Sequence, residues 1–546
     1  MRNSFKKTSL IVFTSLILAS SSSLFAQNGE STRGINPYDE ISSQSCTSIM
    51  VGKKASTDGS VMTTHSCDSD YRTWVRMEPA ATYKDGDTQP IYKGMLHNDL
   101  PWDFRKVEKV GEIPAPQKTY KYLNTAYPCL NEKQLAIGET TFDGRKELVN
   151  KEGWFLIEEL QRIALERCTN AREAIALMGE LAQKYGYGDW GECLTVADKN
   201  EVWQFEIVGS GPGKPSALWA AQRIPDDHVG VSANIPRIGK IEWNNPDYFM
   251  YSPDLKERAK KLGYWDGKEE FIFHKVISGK KPFSVREYFI FNTLAPSLQL
   301  SYDADELPFS IKPDKKVSPQ QILEFYRATY EGTEFDPCKN LWVEVPRTKR
   351  LPDGTRQQYK DTICPVSPFM PNDLRALLNK LEPDVAERVR TIAVIQCSYS
   401  HIIQLRDWLP DEIGGVAYFS YDNPAQSPRI PIYAGINNLP ESFAICGQHI
   451  YREDAAVWAF RETNRISTID WYESREILEP EVMSFEEKMF EMAPMVEEKA
   501  LKLIQEGKVE EAKKVLTTHT NDFATQVMGR WKELKGKVLM LFVRSM

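Results

Sequence analysis

The chain has 546 residues, 41% apolar and 26% charged, with 31 Gly and 32 Pro. This composition excludes a collagen-like, low-complexity or wholly disordered chain, and the length allows about two to four domain-sized units, or one large one with an appendage. A formal charge of −8 argues against a nucleic-acid-binding protein, which needs a basic face.

Residues 1–26 read as a secretory signal. Arg2, Lys6 and Lys7 make a positive start, residues 8–19 are apolar, and residues 20–26 are mostly small, with cleavage expected after Ala26. The competing reading is an uncleaved anchor, but the apolar run falls short of the ~20 residues that span a bilayer. No later stretch of that length is free of charge, so no stable membrane insertion is expected. The expected location is secreted or periplasmic. Residues 27–45 are polar and aperiodic, with Ser, Asn, Gly and one Pro, the composition of a linker or pro-segment. The segment ends at Cys46.

Residues 47–51 predict a short strand, 52–60 are turn formers, and 61–65 predict a second strand, together a hairpin. Apolar positions at three- and four-residue spacing predict a helix over 154–167, and a second over 171–185 ended by Gly186 and Gly188. Strands are expected at 194–197, 202–207, 217–223 and 229–233, the last running into Asn234. Hairpins, two helices and further strands point to an antiparallel sheet with helices packed on it. Later come a helix over 319–330 and further strands. Ser484 and Glu487 form an S-x-x-E capping box that predicts a helix start. From there to about residue 541 the chain reads as a charged C-terminal helical appendage with a break at Gly507.

Nine cysteines and seven histidines are scattered. No C-x-x-C pair, H-E-x-x-H, G-x-S-x-G or G-x-x-x-x-G-K-[ST] motif occurs, so zinc peptidase, serine hydrolase and nucleotide-binding readings lack support, and no metal or cofactor is expected. Most of the cysteines read as small buried hydrophobes, and an odd number leaves at least one unpaired within the chain.

Cys46 is singled out by its position at the end of the pro-segment. If the chain is cut before it, thiol and α-amine share one residue, with ordinary pKa values of roughly 8.5 and 7.7–8.0. The amine can then take the thiol proton near neutral pH, placing nucleophile and base on one residue. The plainer alternatives are a buried first residue of a strand and a lipoprotein cysteine, the latter without the expected small-residue box beside it.

The stretch 46–70, C-T-S-I-M-V-G-K-K-A-S-T-D-G-S-V-M-T-T-H-S-C-D-S-D, resembles the mature start of the cysteine-type Ntn-hydrolase dipeptidases (the dipeptidase A and secernin family), relatives of the penicillin V acylases and bile salt hydrolases. The resemblance continues in order through N-E-K-Q-L-A-I-G-E-T-T at 131–141, V-W-Q-F-E-I-V-G at 202–209, A-A-Q-R-I-P-D at 220–226, V-S-A-N-I at 231–235, Y-E-G-T-E-F-D at 330–336, Q-L-R-D-W-L-P at 404–410, G-G-V at 414–416 and P-I-Y at 431–433.

The resemblance implies an α+β fold, a four-layer αββα Ntn-hydrolase sandwich over 46–480 with a helical region at 481–546. It implies a catalytic set of Cys46 as nucleophile, Asp68 beside its amine and Asn234 as an oxyanion donor. A turn or capping role remains the plainer alternative for Asp68 and Asn234. Glu139 and Thr140 match another oxyanion-site position by place only. His65 stands where many relatives carry arginine, and Arg72 is a candidate substitute. The implied activity is hydrolysis of short peptides through an acyl-enzyme. An acylase-type amide hydrolase and an inactive exported binding protein are the alternatives, and assembly into a homo-oligomer is left open.

Overall fold

The computed structural model describes residues 46–279 and 283–545. The expected signal and pro-segment, residues 1–45, therefore lie outside the described residues. In chain order the elements that build the site region begin with β1 (Ser48–Val51), β2 (Val61–Cys67), β3 (Arg76–Glu78), β4 (Tyr122–Asn124), β5 (Leu130–Asn131) and β6 (Ala136–Phe142). Helices α1 (Ile157–Arg167) and α2 (Ala171–Tyr185) follow, then β7 (Gly191–Ala197), β8 (Val202–Gly209), β9 (Ala217–Arg223), β10 (Val229–Ser232) and β11 (Phe249–Tyr251). Next come α3 (Val285–Leu294), β12 (Ser310–Ile311), α4 (Pro319–Arg327), β13 (Tyr399–Leu405), β14 (Gly415–Tyr421) and β15 (Ile430–Tyr433). The chain ends with α5 (Ala456–Ser467), α6 (Trp471–Gln505) and α7 (Val509–Ser545).

The strands form a seven-stranded sheet, ordered β12-β10-β1-β2-β13-β14-β15, and an eight-stranded sheet, ordered β11-β9-β8-β7-β6-β5-β4-β3. Neighbours in both are antiparallel, and the expected α+β class holds. The hairpin of β1 and β2 forms as expected, with Met50 opposite Thr63. Its turn requires Gly52, because a β-carbon there would lie 2.4 Å from the Asp226 carbonyl oxygen that accepts from the Lys54 amide.

The two sheets meet face to face. The Thr63 hydroxyl oxygen of β2 lies 2.6 Å from that of Thr195 on β7. Gly138 on β6 approaches β2 so closely that a β-carbon would lie 2.2 Å from the Thr64 carbonyl oxygen. This contact explains why β2, V-M-T-T-H-S-C, is fully buried although four of its seven residues are polar: its Thr and His side chains find partners in the opposing sheet or in α4, and Ser66 bonds Asp68 and the Thr47 amide. Strand alternation sends Gly138 and Thr140 toward the first sheet, and Glu139 and Thr141 toward the opposite face. On that face α2 packs against β7, β8 and β9, with Gly179 against the Trp219 ring.

Local chemistry accounts for the helix ends. Asn170 caps α2 by accepting from the Glu173 amide at 3.0 Å, and Gly186 ends it at φ +87°. The helix expected over 154–167 begins only at Ile157: residues before it are extended, and Phe155 bridges to Tyr187. The helix expected over 319–330 ends at Arg327, short of Tyr330 at φ +62°.

The largest correction concerns the C-terminal region. Ser484 does not start a helix; it lies inside α6, which runs from Trp471 through Pro480 and Pro494. Leu478, Val482 and Met489 bury against the core and carry the helix past both prolines. The break at Gly507, φ +77°, is where it was expected. Helix α7 then returns against α5 and β15. Its Trp531 is fully buried between Phe460 and Phe485, the kind of side chain whose truncation costs about 3–5 kcal/mol. No helix among the described residues is long and apolar enough to cross a membrane.

Candidate active site

Cys46 directly precedes β1 and is 1% exposed. Three bonds hold its neighbour Thr47: its amide donates to Ser66 Oγ at 3.0 Å, its carbonyl accepts from the Ser66 amide at 3.0 Å, and the Tyr326 hydroxyl of α4 donates to the same carbonyl at 2.6 Å. Ser48, two residues on from Cys46, donates to the Glu139 carbonyl oxygen at 3.1 Å, so alternation turns Cys46 toward the second sheet as well.

Asp68 follows β2 and is fully buried. Its Oδ2 accepts from Ser66 Oγ at 2.8 Å and from Arg390 at 2.7 Å, the Cys397 thiol also reaches the carboxyl, and Oδ1 has no N–H or O–H partner among the described residues. The Asp68 amide donates toward the Cys46 sulfur. Asn234 ends β10 in the left-handed region, φ +64°. Its Nδ2 donates to the Thr141 carbonyl at 2.6 Å, leaving one of its two N–H donors unspent by that bond.

Thus the structure places Cys46 and Asp68 in contact, and Asn234 is tied to Cys46 through a residue that the sequence reading missed. Arg286, on α3, is fully buried and donates to the Cys46 carbonyl at 2.7 Å, Thr47 Oγ1 at 3.1 Å, the Ala233 carbonyl at 2.9 Å and Asn234 Oδ1 at 2.9 Å. An adjacent Arg–Glu pair in the otherwise apolar run V-R-E-Y-F-I-F was its only signal. Arg390 was missed for lack of any local pattern. Arg72 does not stand in for the missing arginine: it stacks on Trp74 and spends its donors on Met95, Trp74, Asn124 and Thr125.

His65 and Glu139 complete the wall around the thiol. Donor atoms of Cys46, His65 and Glu139 lie within 4.8 Å of one another, a thiol–imidazole–carboxylate set that could also hold a metal ion. His65 Nδ1 donates to the Glu139 carbonyl at 2.7 Å, and burial pushes its pKa down to about 4, so the ring is neutral at physiological pH. Thr140 faces the other way, with its hydroxyl 2.5 Å from that of Ser232. Burial raises the Glu139 carboxyl to about 7. Burial first, then the charges of Glu139, Cys67 and Asp68, push the Cys46 thiol well above its ordinary value. With these neighbours alone the sulfur holds its proton. All nine cysteines are free thiols, eight of them buried.

A buried thiol at the start of an interior strand, ringed by a carboxylate, an amide side chain and a guanidinium, suits attack on a carbonyl group. Comparison with known proteins gives the family. The model of peptidase family C69 matches residues 45–482, and the chain belongs to that family. It is similar to a probable dipeptidase of Latilactobacillus sakei, 26% identical over 429 residues that cover 74% of this chain and 77% of that protein. It is also similar to a probable dipeptidase of Salmonella dublin, 26% identical over 72% of this chain and 82% of that protein. A probable dipeptidase B of Lactococcus lactis is 25% identical over 73% and 76%.

Proposed function

We propose that the protein is an exported cysteine dipeptidase whose nucleophile is Cys46, unmasked as an N-terminal residue when residues 1–45 are removed. The two facing sheets with helices on their outer sides are then the αββα layers of an Ntn-hydrolase. The observation that carries the reading is Asp68 Oδ1, a fully buried carboxylate oxygen that no N–H or O–H of the described residues meets, on the residue whose amide meets the Cys46 sulfur; the only further donor to this carboxyl is the weak thiol of Cys397. A free α-ammonium on Cys46 would supply the missing donor and lower the thiol pKa by its charge. The family match beginning at residue 45 supports the same boundary.

In this mechanism the α-amine takes the thiol proton and Sγ attacks the peptide carbonyl. The second N–H of Asn234 stabilises the resulting oxyanion, while Arg286 holds Asn234 and the Cys46 carbonyl in register. The α-ammonium returns its proton to the departing amine, leaving a thioester. The same amine then deprotonates the water that releases the acid.

The test joins N-terminal sequencing of the exported protein with a substrate panel of dipeptides and N-acyl amides. A mature chain beginning at Cys46 that cleaves dipeptides, and loses turnover in Cys46→Ala, is the expected result. Full activity with Ser45 still attached would refute the mechanism.

A further inference from the structure

Beside the thiol lies a group of acidic side chains that the mechanism above does not use. Register places Thr141 of β6 opposite Glu192 of β7, so Glu139 and Glu192 are diagonal neighbours on one face, and their carboxyls hydrogen-bond to each other. Glu158, in the first turn of α1, and Asp189, just before β7, lie close enough to add to their charge. Glu139, Glu158 and Glu192 are at most 3% exposed. Apart from that carboxyl–carboxyl contact, Glu139 Oε2, Glu192 Oε2 and both Glu158 oxygens have no hydrogen-bond partner among the described residues. The fully buried Tyr187 hydroxyl beside them is also unpartnered.

No cation among the described residues answers this group. Among the described residues none of the four carboxyls forms an ion pair with Lys or Arg. Arg72 is spent as described, and Lys93 donates to the Lys151 carbonyl at 2.8 Å. His65 stays neutral. Buried carboxylates without a counter-charge are costly. Burial raises the carboxyls of Glu139, Glu158, Asp189 and Glu192, and repulsion from neighbouring carboxyls raises those of Glu139, Glu158 and Glu192 further, so the cluster holds protons when empty.

Distance ties the cluster to the chemistry. The nitrogen of an aminoacyl group lies about 2.5 Å from its carbonyl carbon. That carbon approaches an attacking sulfur to roughly 3–3.5 Å. The nitrogen is therefore within about 6 Å of Sγ, and Glu139 offers a carboxyl oxygen within 4.8 Å of it. Building on the dipeptidase reading, we propose that Glu139 and Glu192, backed by Glu158 and Asp189, seat the α-ammonium of the residue whose carbonyl Cys46 attacks, so that the enzyme takes peptides with a free N-terminus and rejects their N-acylated and des-amino counterparts. On binding, the ammonium replaces a proton held between Glu139 and Glu192, and that proton leaves to solvent.

Two measurements on the processed enzyme test this. The first compares kcat/KM for a phenylalanyl dipeptide with that for its 3-phenylpropanoyl analogue, which lacks only the amine. A site built to bond a substrate N–H discriminates strongly against an analogue without it, so a loss of at least about 10²-fold is expected. Glu192→Gln, a neutral replacement of similar shape, should shrink that ratio at least tenfold. Equal rates for the two substrates would overturn the seat while leaving the Cys46 nucleophile intact.

The second measurement is calorimetry with a non-cleavable ketomethylene isostere of the same dipeptide, at pH 6.5 in two buffers of different ionisation enthalpy. Tight binding with net proton release supports the seat. Equal affinity for the des-amino isostere overturns it. Because this readout needs no turnover, an enzyme that binds the isostere yet cleaves nothing would sink the dipeptidase reading and leave the ammonium seat standing.

Discussion

Arg286 donates to the backbone carbonyl of Cys46 at 2.7 Å, although 240 positions separate the two residues. The same guanidinium meets Thr47, Ala233 and Asn234, so one fixed fork joins the strand that presents the thiol to the strand end that presents the amide. Arg286→Lys cannot reproduce that fork. It should reduce kcat by about 10²-fold or more with a smaller change in KM, through misplacement of Asn234. Arg286→Met leaves buried carbonyls without donors and should cost about 3–5 kcal/mol in denaturant unfolding. A Lys variant with wild-type kcat would show that the fork does not position the site.

Asp68 and Arg390 form a buried pair at 2.7 Å. In the proposed mechanism Asp68 Oδ1 receives the α-ammonium of Cys46. Asp68→Asn keeps the shape but offers a weaker acceptor. The pH–rate profile of the processed enzyme should shift and kcat/KM should fall by at least about tenfold. Arg390→Ala leaves the carboxylate buried and unpaired, so it should lower stability by about 3–5 kcal/mol. Thermal or denaturant unfolding separates the two effects: Asn changes rate more than stability, and Ala the reverse.

Much of this architecture is legible in the sequence where it depends on neighbours along the chain. The turn formers at 52–60 between two strand-like runs are enough to place the first hairpin, and Gly186 marks the end of α2. The site is legible only in part. Cys46, Asp68 and Asn234 carry the family resemblance, whereas Arg286 and Arg390 meet them across the fold, where no local period reports a contact. The acidic cluster escaped for the same reason, since Glu139, Glu158 and Glu192 sit on three different elements. The Ser484 capping motif misled because a cap signal is local, while the burial of Leu478 and Val482 that extends α6 upstream is not.

Asn234 sits at φ +64°, a conformation that asparagine and glycine tolerate and most residues do not. This allows backbone and side chain to be separated. Asn234→Gly keeps the turn and removes the proposed oxyanion donor, so it should fold normally and lose about 10²–10³-fold in kcat. Asn234→Ala should lose the same activity and in addition about 1–2 kcal/mol of stability from the left-handed strain. If the Gly variant retained full kcat, the side chain would have a structural role only.

His274 offers a pH test away from the thiol. It is 4% exposed, and burial, then Arg237 and Lys275, lower its pKa to about 4 from an unfolded value near 6.5. Between those values the unfolded chain binds a proton that the folded chain refuses, so this residue makes stability rise with pH from about 4 to 6.5. Its contribution is fully present above pH 6.5 and is lost as pH falls toward 4, a swing of about 3 kcal/mol. Glu206, whose carboxyl burial raises to about 7, acts in the opposite sense between about pH 4.5 and 7, so the whole-protein profile mixes the two. The difference between the wild type and His274→Asn isolates the histidine. Denaturant unfolding at pH 4.5, 5.5 and 6.5 should show the wild type gaining on the variant with each step, and parallel profiles would show that His274 is protonated in the folded protein.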